Sequence, residues 1–422
     1  MLIDKVKTIF SNRFVKNAGW TGAAELVNRI FRLATTVVIA RSLSSYDYGL
    51  VAVVLTVNEF STVFTMRSGI GSKIVQSEEQ SVHAFCNTAY WMNWILCVSL
   101  FIIQCLAAFA IAAYYGNNQV ILPICVVALS YLFLPTFAIQ SALIYRENRL
   151  KIPAICNAVQ TSLANVLTII FALLGLKMWA IVLPILLTTP VWVIIMRRSH
   201  PWRISGSFSL QHWREILDFS SNVLGVELLS KLRANLDYLI IGRYIGIDAL
   251  GIYYFAFNAG LGISLSLMQA FTWSLFPHLC DVRENIKELR KQYFGSLKVI
   301  ATVFVPLIIL QSSMAPFYVP IVFGSKWIVA IPILVVICLS ALPRPFADAA
   351  SVLLQSTNRS RIDLYWNVVF TIAFAICLLF AVHWGIFWVA VTVLASHMLA
   401  LPLFTMWATR YVFRSKSVSF AP

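Results

Sequence analysis

Charge is what this chain lacks most. Only 12% of its 422 residues are Asp, Glu, Lys or Arg, where a soluble domain carries about 25%. The depletion runs along the whole length and excludes an ordinary soluble domain. Cysteine pairing is also missing. The eight cysteines stand at 86, 97, 105, 125, 156, 280, 338 and 377, none in C-x-x-C spacing and nearly all within apolar runs. There Cys acts as a small hydrophobe, so no metal centre or disulfide framework is expected. No P-loop, G-x-S-x-G or H-E-x-x-H occurs, so neither direct ATP use nor those hydrolytic chemistries has a motif here. No cleavable signal is expected either: Lys5, Lys7, Arg13 and Lys16 interrupt the apolar residues of the first segment, and no small-residue cleavage site follows.

What is present is hydrophobicity: 60% of the residues are hydrophobic and the mean hydropathy is +0.81. A membrane-spanning helix needs about 20 mostly apolar residues. Twelve such runs are expected, near residues 19–40, 48–66, 84–113, 119–144, 152–173, 178–196, 216–241, 250–276, 294–317, 328–355, 362–382 and 386–409. With the N-terminus inside, the inner connections and termini hold twenty-two Lys and Arg. The outer ones hold only Arg41, Lys177, Arg243 and Lys326. Basic loops resist translocation, so this bias places both termini in the cytoplasm. The formal charge of +15 then reflects topology and implies no nucleic-acid partner. The outer connections are all short, leaving no room for an extracytoplasmic domain. The inner connection 277–293 reads as a charged, amphipathic cytoplasmic helix or, in preference, as a solvated charged connector. Trp20, Trp91, Trp202, Trp327 and Trp384 lie near span ends, as interfacial anchors do.

The chain also repeats itself. "IARSLSSYDYGLVAVVL" (Ile39–Leu55) is echoed by "IGRYIGIDALGIYYFAF" (Ile241–Phe257), an offset of 202. The same offset carries Glu25 onto Glu227 and Arg29 onto Lys231. "YGNNQVILP" from Tyr115 resembles "FGSKWIVAIP" from Phe323, and "NRLKI" from Asn148 matches "NRSRI" from Asn358. Six spans per unit is an even number, so both units run in the same sense. Such parallel repeats are related by an axis along the membrane normal. The expected architecture is an all-α integral membrane protein of two six-helix lobes, 1–200 and 201–422, related by a pseudo-twofold axis. Gly49 and Gly251 are expected to mark the start of the second span of each lobe.

"ARSLSSYDYGLVAV", "SGIGSKIVQ", "LDYLIIGRYIGIDALGIYYFA" and "VFGSKWIVAIPIL" together resemble the bacterial polysaccharide-export flippases of the multidrug/oligosaccharidyl-lipid/polysaccharide exporter superfamily. The resemblance covers most of the chain. It implies translocation of a lipid-linked oligosaccharide, usually on undecaprenyl pyrophosphate, from the cytoplasmic to the outer leaflet. It also implies a bacterial inner-membrane location and partnership with the polymerase and glycosyltransferases of the same pathway, with no cofactor. Many members carry fourteen helices, and twelve are expected here. Related flippases use basic residues in early helices of each half.

An ionisable side chain at the bilayer centre costs about 2.5–3.5 kcal/mol or more, so each is a functional candidate. Glu25, Arg29 and Arg32 share one face of span 1. Span 2 carries Asn58 and Glu59. Glu227 and Lys231, then Arg233 and Asp237, stand four apart in span 7, as do Arg344 and Asp348 in span 10, where Pro343 and Pro345 should kink the helix. Arg29, Arg32, Lys231, Arg233 and Arg344 are the candidate pyrophosphate ligands, because basic forks bind phosphate oxygens. Glu25, Glu59, Glu227, Asp237 and Asp348 are the candidates for balancing charge or coupling to a proton or sodium flow. The alternative, that the pairs only neutralise each other, stays open. Arg41 and Arg243 read as cations at helix C-termini, Asn148-Arg149 and Asn358-Arg359 as headgroup contacts, and the isolated His383 and His397 as packed or interfacial. The function expected is a flippase working by alternating access, not an enzyme. The rivals are a multidrug exporter of the same superfamily and a polysaccharide polymerase or ligase. The surplus of cations in spans 1, 7 and 10 favours an anionic cargo, and the short outer loops disfavour the polymerase.

Overall fold

The computed structural model describes residues 31–65, 67–76, 82–204 and 208–418. Among these the chain is helical throughout, with no strand. By internal contacts it divides into Met1–Lys231 and Leu232–Pro422.

In the first unit, residues 31–42 (α1) lead to α2 (Ser45–Val63) and α3 (Arg67–Gln76). They are followed by α4 (Val82–Tyr115), α5 (Ile121–Ala128), α6 (Ala138–Arg146), α7 (Lys151–Leu173), α8 (Trp179–Thr188) and α9 (Pro190–Ser199). The long α10 (Trp213–Tyr244) contributes its first nineteen residues here. The second unit takes the rest of α10, then α11 (Ile247–Asp281), α12 (Ile286–Tyr318), α13 (Ile331–Ser340), α14 (Arg344–Ser356), α15 (Ser360–Ala381) and α16 (Ile386–Val418).

Among the described residues eight spans are long and apolar enough to cross a membrane, or nine when α11, bent by 50°, is included. The other three expected spans are the instructive ones. Most of span 1 lies outside the described residues. α2 and α10 are full-length helices whose polar residues lower their hydropathy: Asp47, Asn58 and Glu59 in one, Glu227, Lys231, Arg233 and Asp237 in the other. The apolar helices are exposed along one side, as with Ile102, Ile103, Leu106 and Phe109 of α4 and Leu399, Leu403 and Met406 of α16. Every backbone polar group in lipid must be satisfied internally, and helices alone achieve that within one segment.

The Ile39–Leu55 stretch contains a tight helix–helix corner. Ser44 caps α2: the Asp47 amide donates to Ser44 Oγ at 3.1 Å, and the Ser44 amide donates to Asp47 Oδ2 at 3.2 Å. This reciprocal arrangement satisfies two donors at a helix start. Its twin starts α11 after Gly246, at φ +119, with Asp248 in the first turn. Both helices therefore begin about one turn before Gly49 and Gly251, which lie within them; a side-chain cap starts α2, whereas α11 starts after the positive-φ Gly246 with no side-chain cap.

The repeat is visible turn by turn within each unit. Asn148 and Asn358 both adopt the left-handed conformation, at φ 55 and 63. Asn tolerates it better than most residues. Each closes the same turn: Arg149 N donates to Ile144 O (3.1 Å) and Arg359 N to Leu354 O (2.8 Å). Gly116 and Gly324, at φ 65 and 106, each precede a 3₁₀ turn (Asn118–Val120 and Ser325–Ala330). Each unit also breaks its fourth span, by the 3₁₀ segment Leu129–Thr136 around Pro135 and by the turn 341–343 before Arg344. The expected proline kink in span 10 is thus a full interruption.

Residues 277–293 form no separate helix, and only the short turn 282–285 connects the flanking helices. α11 runs on to Asp281, and α12 begins at Ile286 under the Asn285 cap, whose Oδ1 accepts from the Lys287 and Glu288 amides at 3.1 and 3.2 Å. Two membrane helices simply project past the apolar zone, which needs fewer unsatisfied helix ends than a third helix would.

At the end of the first unit that the charge bias assigns to the inside, Ile70, Ile74, Phe85, Cys86, Ala89, Ile139 and Ile216 form a buried cluster. Arg146 NH1 donates to Ile74 O and Val75 O at 2.9 and 3.1 Å, satisfying carbonyls at the end of α3. Nearby, Arg149 (3.0 Å) and His200 (3.1 Å) reach Glu147, and the Arg149 contact foremost holds its carboxyl below the usual range. Within "SGIGSKIVQ", Gly69 permits a close crossing: a Cβ there would lie 2.6 Å from Ser220 Cα on α10. Gly69→Ala should therefore cost about 1–3 kcal/mol from overpacking, seen as a lower melting midpoint of the detergent-solubilised protein. Gly71→Ala, with nothing within 4 Å of its would-be Cβ, should melt like the parent. Equal midpoints for all three would remove the close-crossing account.

Candidate functional site

The charged helices carry two sites, one in each unit. In the first unit, Glu227, Ser230 and Lys231 occupy one face of α10 by i, i+3 and i+4 spacing. They line a cavity of about 580 Å³ together with Asn58 and Thr62 of α2, Tyr131, Asn157 and Gln160 of α7, and Thr189 and Trp192. Lys231 Nζ lies 3.0 Å from Glu59 Oε2 of α2, each side chain nearly half exposed. The ion pair of Lys231 among the described residues thus crosses to a second helix instead of following α10 to Glu227. A lysine stem is long enough for either, and the facing α2 carboxylate lies within direct contact. Tyr131 donates its OH to Asn58 Oδ1 at 2.8 Å, and Trp192 donates its Nε1–H to Gln160 Oε1 at 2.5 Å. These bonds hold two amides in fixed orientations at membrane depth. Arg32 lies on α1, exposed, with Thr36 donating to its carbonyl at 2.8 Å; it is not among the cavity-lining residues. Glu25 and Arg29 lie outside the described residues.

In the second unit, the last part of α10 supplies Arg233 and Asp237, α14 supplies Arg344 and Asp348, and α15 supplies Asp363 and Asn367. Arg233 NH1 donates to Asn367 Oδ1. Asn367 Nδ2 in turn donates to Asp363 Oδ1 at 3.2 Å, and Gln355 Nε2 donates to Asp363 Oδ2 at 2.9 Å. Asp237 is buried and accepts from the Tyr253 hydroxyl at 2.7 Å and from the Tyr238 amide at 3.0 Å. Arg344 lies over the Phe257 ring at 5.9 Å, within the field of Asp237 and Asp348, and its Nε has no hydrogen-bond partner among the described residues. Asp348 and Asp363 both act electrostatically on Arg233. The cations Arg233 and Arg344 thus stand among three carboxylates, Asp237, Asp348 and Asp363. His397 is buried and stacked on Phe370 and Phe374, at 5.9 and 5.6 Å, as a packed histidine would be.

The structure therefore brings together Glu59, Glu227 and Lys231 in one unit, and Arg233, Asp237, Arg344 and Asp348 in the other. Sequence reasoning passed over Asp363, Asn367, Tyr253, Asn157, Gln160 and Trp192. A signal was available for several: Asp363 and Asn367 stand four apart in an apolar span, and Asn157 and Gln160 three apart. Uncharged amides are weaker flags than charges, and the hydroxyl and indole partners carry no periodic mark at all.

This architecture defines a class. With 14% identity, the chain superposes on a lipid II flippase, MurJ, in an inward closed conformation at a TM-score of 0.73, covering 94% of this chain and 90% of that one. A multidrug resistance MATE family transporter of the MOP superfamily, inward-facing, gives the same score and identity over 94% and 96%. The protein is a multi-pass membrane protein with the transporter fold those structures share. The family follows from sequence: the model described as "Polysaccharide biosynthesis protein" matches residues 38–332, and the chain belongs to that family. Among its relatives is the teichuronic acid biosynthesis protein TuaB of Bacillus subtilis, 24% identical over 381 residues, 89% of this chain and 78% of that protein.

The two sites differ in their energetic weight. Tyr253→Phe leaves a buried carboxylate short of a donor and should cost about 1–3 kcal/mol. The Lys231–Glu59 pair is half exposed, and a double-mutant cycle through Lys231→Met and Glu59→Gln should return under about 1 kcal/mol of coupling. Thermal unfolding in one detergent measures both. A Tyr253→Phe midpoint equal to the parent's would contradict the bond to Asp237.

Proposed function

We propose that this protein is a flippase that carries a polyprenyl-pyrophosphate-linked oligosaccharide from the cytoplasmic to the outer leaflet of a bacterial inner membrane, for surface polysaccharide synthesis. The observation that carries the reading is a cavity within the first unit walled by amides, hydroxyls, an indole, Glu227 and the Lys231 that Glu59 engages, in a chain of the polysaccharide biosynthesis family. An apolar membrane span gains nothing from such groups, since each costs free energy in lipid. A sugar-bearing, anionic cargo gives them a purpose. Arg29, Arg32, Lys231, Arg233 and Arg344 are the pyrophosphate ligands in this reading. Glu25, Glu59, Glu227, Asp237 and Asp348 offset their charge when no cargo is bound, or carry coupling ions. Transport proceeds by alternating access and without covalent chemistry, so the protein is a transporter and not an enzyme. Both termini face the cytoplasm, on the strength of the Lys and Arg bias. An inside-negative potential aids export of negative charge by about 2.3 kcal/mol per charge per 100 mV. The polymerase and glycosyltransferases of the pathway are the natural partners.

A second reading, export of amphipathic drugs, draws support from the carboxylates Asp237, Asp348 and Asp363 and from the fold shared with the MATE transporter. Gene deletion and complementation separate the two. Loss of surface polymer, restored by the wild-type chain, is expected. Lys231→Ala and Arg32→Ala should each lower export by about tenfold or more, equivalent to at least about 1.4 kcal/mol, at unchanged membrane abundance. Full export by both variants would remove the basic docking set. Unchanged polymer with raised drug sensitivity would favour the exporter.

A further inference from the structure

The first-unit cavity is within the size range of small-molecule sites, about 300–1,000 Å³, and the described residues that line it all belong to that one unit. Its polar groups are mostly uncharged. Gln160 is held by its acceptor bond from Trp192 and by a 3.4 Å bond from its Nε2 to Thr188 Oγ1. Asn58 spends its carbonyl on Tyr131, which leaves its Nδ2 donors for a ligand. Asn157 is exposed to the cavity and makes no side-chain hydrogen bond among the described residues. The indole of Trp192 offers an apolar face beside these amides, tilted against Phe137 at 5.7 Å. Donors, acceptors and one broad ring face suit a ligand that is hydroxylated at its edges and apolar across its plane, which describes a pyranose.

The charges at the wall then set a restriction. Glu227 lines the cavity, and the ammonium of Lys231 is already engaged by Glu59. Among the described residues, one cation and two carboxylates leave no positive surplus, so an additional carboxylate brought in on the ligand meets repulsion. We infer that this cavity is the subsite for the sugar next to the pyrophosphate, and that it accepts an uncharged pyranose in preference to a uronic acid. The inference rests on the flippase reading and adds to it the class of sugar and the residues that select it.

The test uses the full chain in nanodiscs and five probes: farnesyl pyrophosphate alone, and farnesyl pyrophosphate carrying glucose, galactose, N-acetylglucosamine or glucuronic acid. At least one uncharged sugar should tighten binding by about tenfold over bare farnesyl pyrophosphate, the scale of about 1.4 kcal/mol, and glucuronic acid should give no gain. Asn157→Leu, which breaks no internal bond, and Gln160→Leu should each erase most of the gain and leave the affinity for bare farnesyl pyrophosphate unchanged. The inference fails if no uncharged sugar adds affinity, if glucuronic acid adds as much, or if the gain survives in both variants. In those cases binding of bare farnesyl pyrophosphate leaves the flippase reading standing. Absence of any pyrophosphate binding would sink the flippase reading itself and this inference with it.

Discussion

A charged or amide side chain inside a bilayer must find a partner within reach or pay for its lost hydration. The rest of the structure follows from how this chain meets that requirement. It concentrates the charged ones in a few helices, chiefly α2, α10, α14 and α15, and gives several a cross-helix partner: Lys231 with Glu59, Arg233 with Asn367, Asp237 with Tyr253. The other helices stay apolar on their outer faces and carry the contact with lipid. The division of labour leaves α2 and α10 too polar to pass as ordinary spans; both help wall the first-unit cavity, and α10 also supplies Arg233 and Asp237 to the second-unit cluster.

The two units share a plan and differ in its use. Corners repeat in detail: left-handed Asn148 and Asn358, positive-φ Gly116 and Gly324, and a fourth span interrupted in each. The interiors do not repeat. The first unit holds a cavity rich in amides and hydroxyls with one half-exposed ion pair. The second packs arginines among carboxylates, with a stacked histidine and a hydrogen-bonded Asn–Asp relay. Turn geometry depends on local backbone sterics and survives duplication cheaply, whereas side chains that face an interior can change without disturbing the corner. The fold common to MurJ and the MATE transporter, at equal TM-scores, makes the same point: the scaffold does not choose the cargo, and the residues lining it do.

Much of this could be read in advance. Charge scarcity and apolar run length gave the membrane class, because hydrocarbon thickness imposes a length on any span. The offset of 202 between Ile39–Leu55 and Ile241–Phe257 revealed the repeat, and "NRLKI" and "NRSRI", 210 residues apart, encode the same left-handed turn in both units. Charges within spans pointed to Glu59, Glu227, Lys231, Arg233, Asp237, Arg344 and Asp348, because few residues there lack a reason. The extension of α11 and α12 through 277–293 was not legible: an amphipathic pattern fits a separate helix and two protruding helix ends equally well. Likewise the Ser44 cap and the positive-φ Gly246, and not the glycines one turn later, mark where α2 and α11 begin.

By itself the sequence determined which helices would be costly to insert, how many spans to expect, and that one design is written twice. Those are properties of composition, period and spacing, all local along the chain. Only tertiary structure decided who pairs with whom. Glu227 and Lys231 stand four apart and could have paired along α10, yet Lys231 meets Glu59, which is 172 residues away. Asn157, Gln160 and Trp192 carry no charge to draw attention, and they gain meaning only where packing sets them around one space. Ion pairing and cavity lining depend on distance in three dimensions, and the periodicity of a single helix cannot specify what another helix brings to face it.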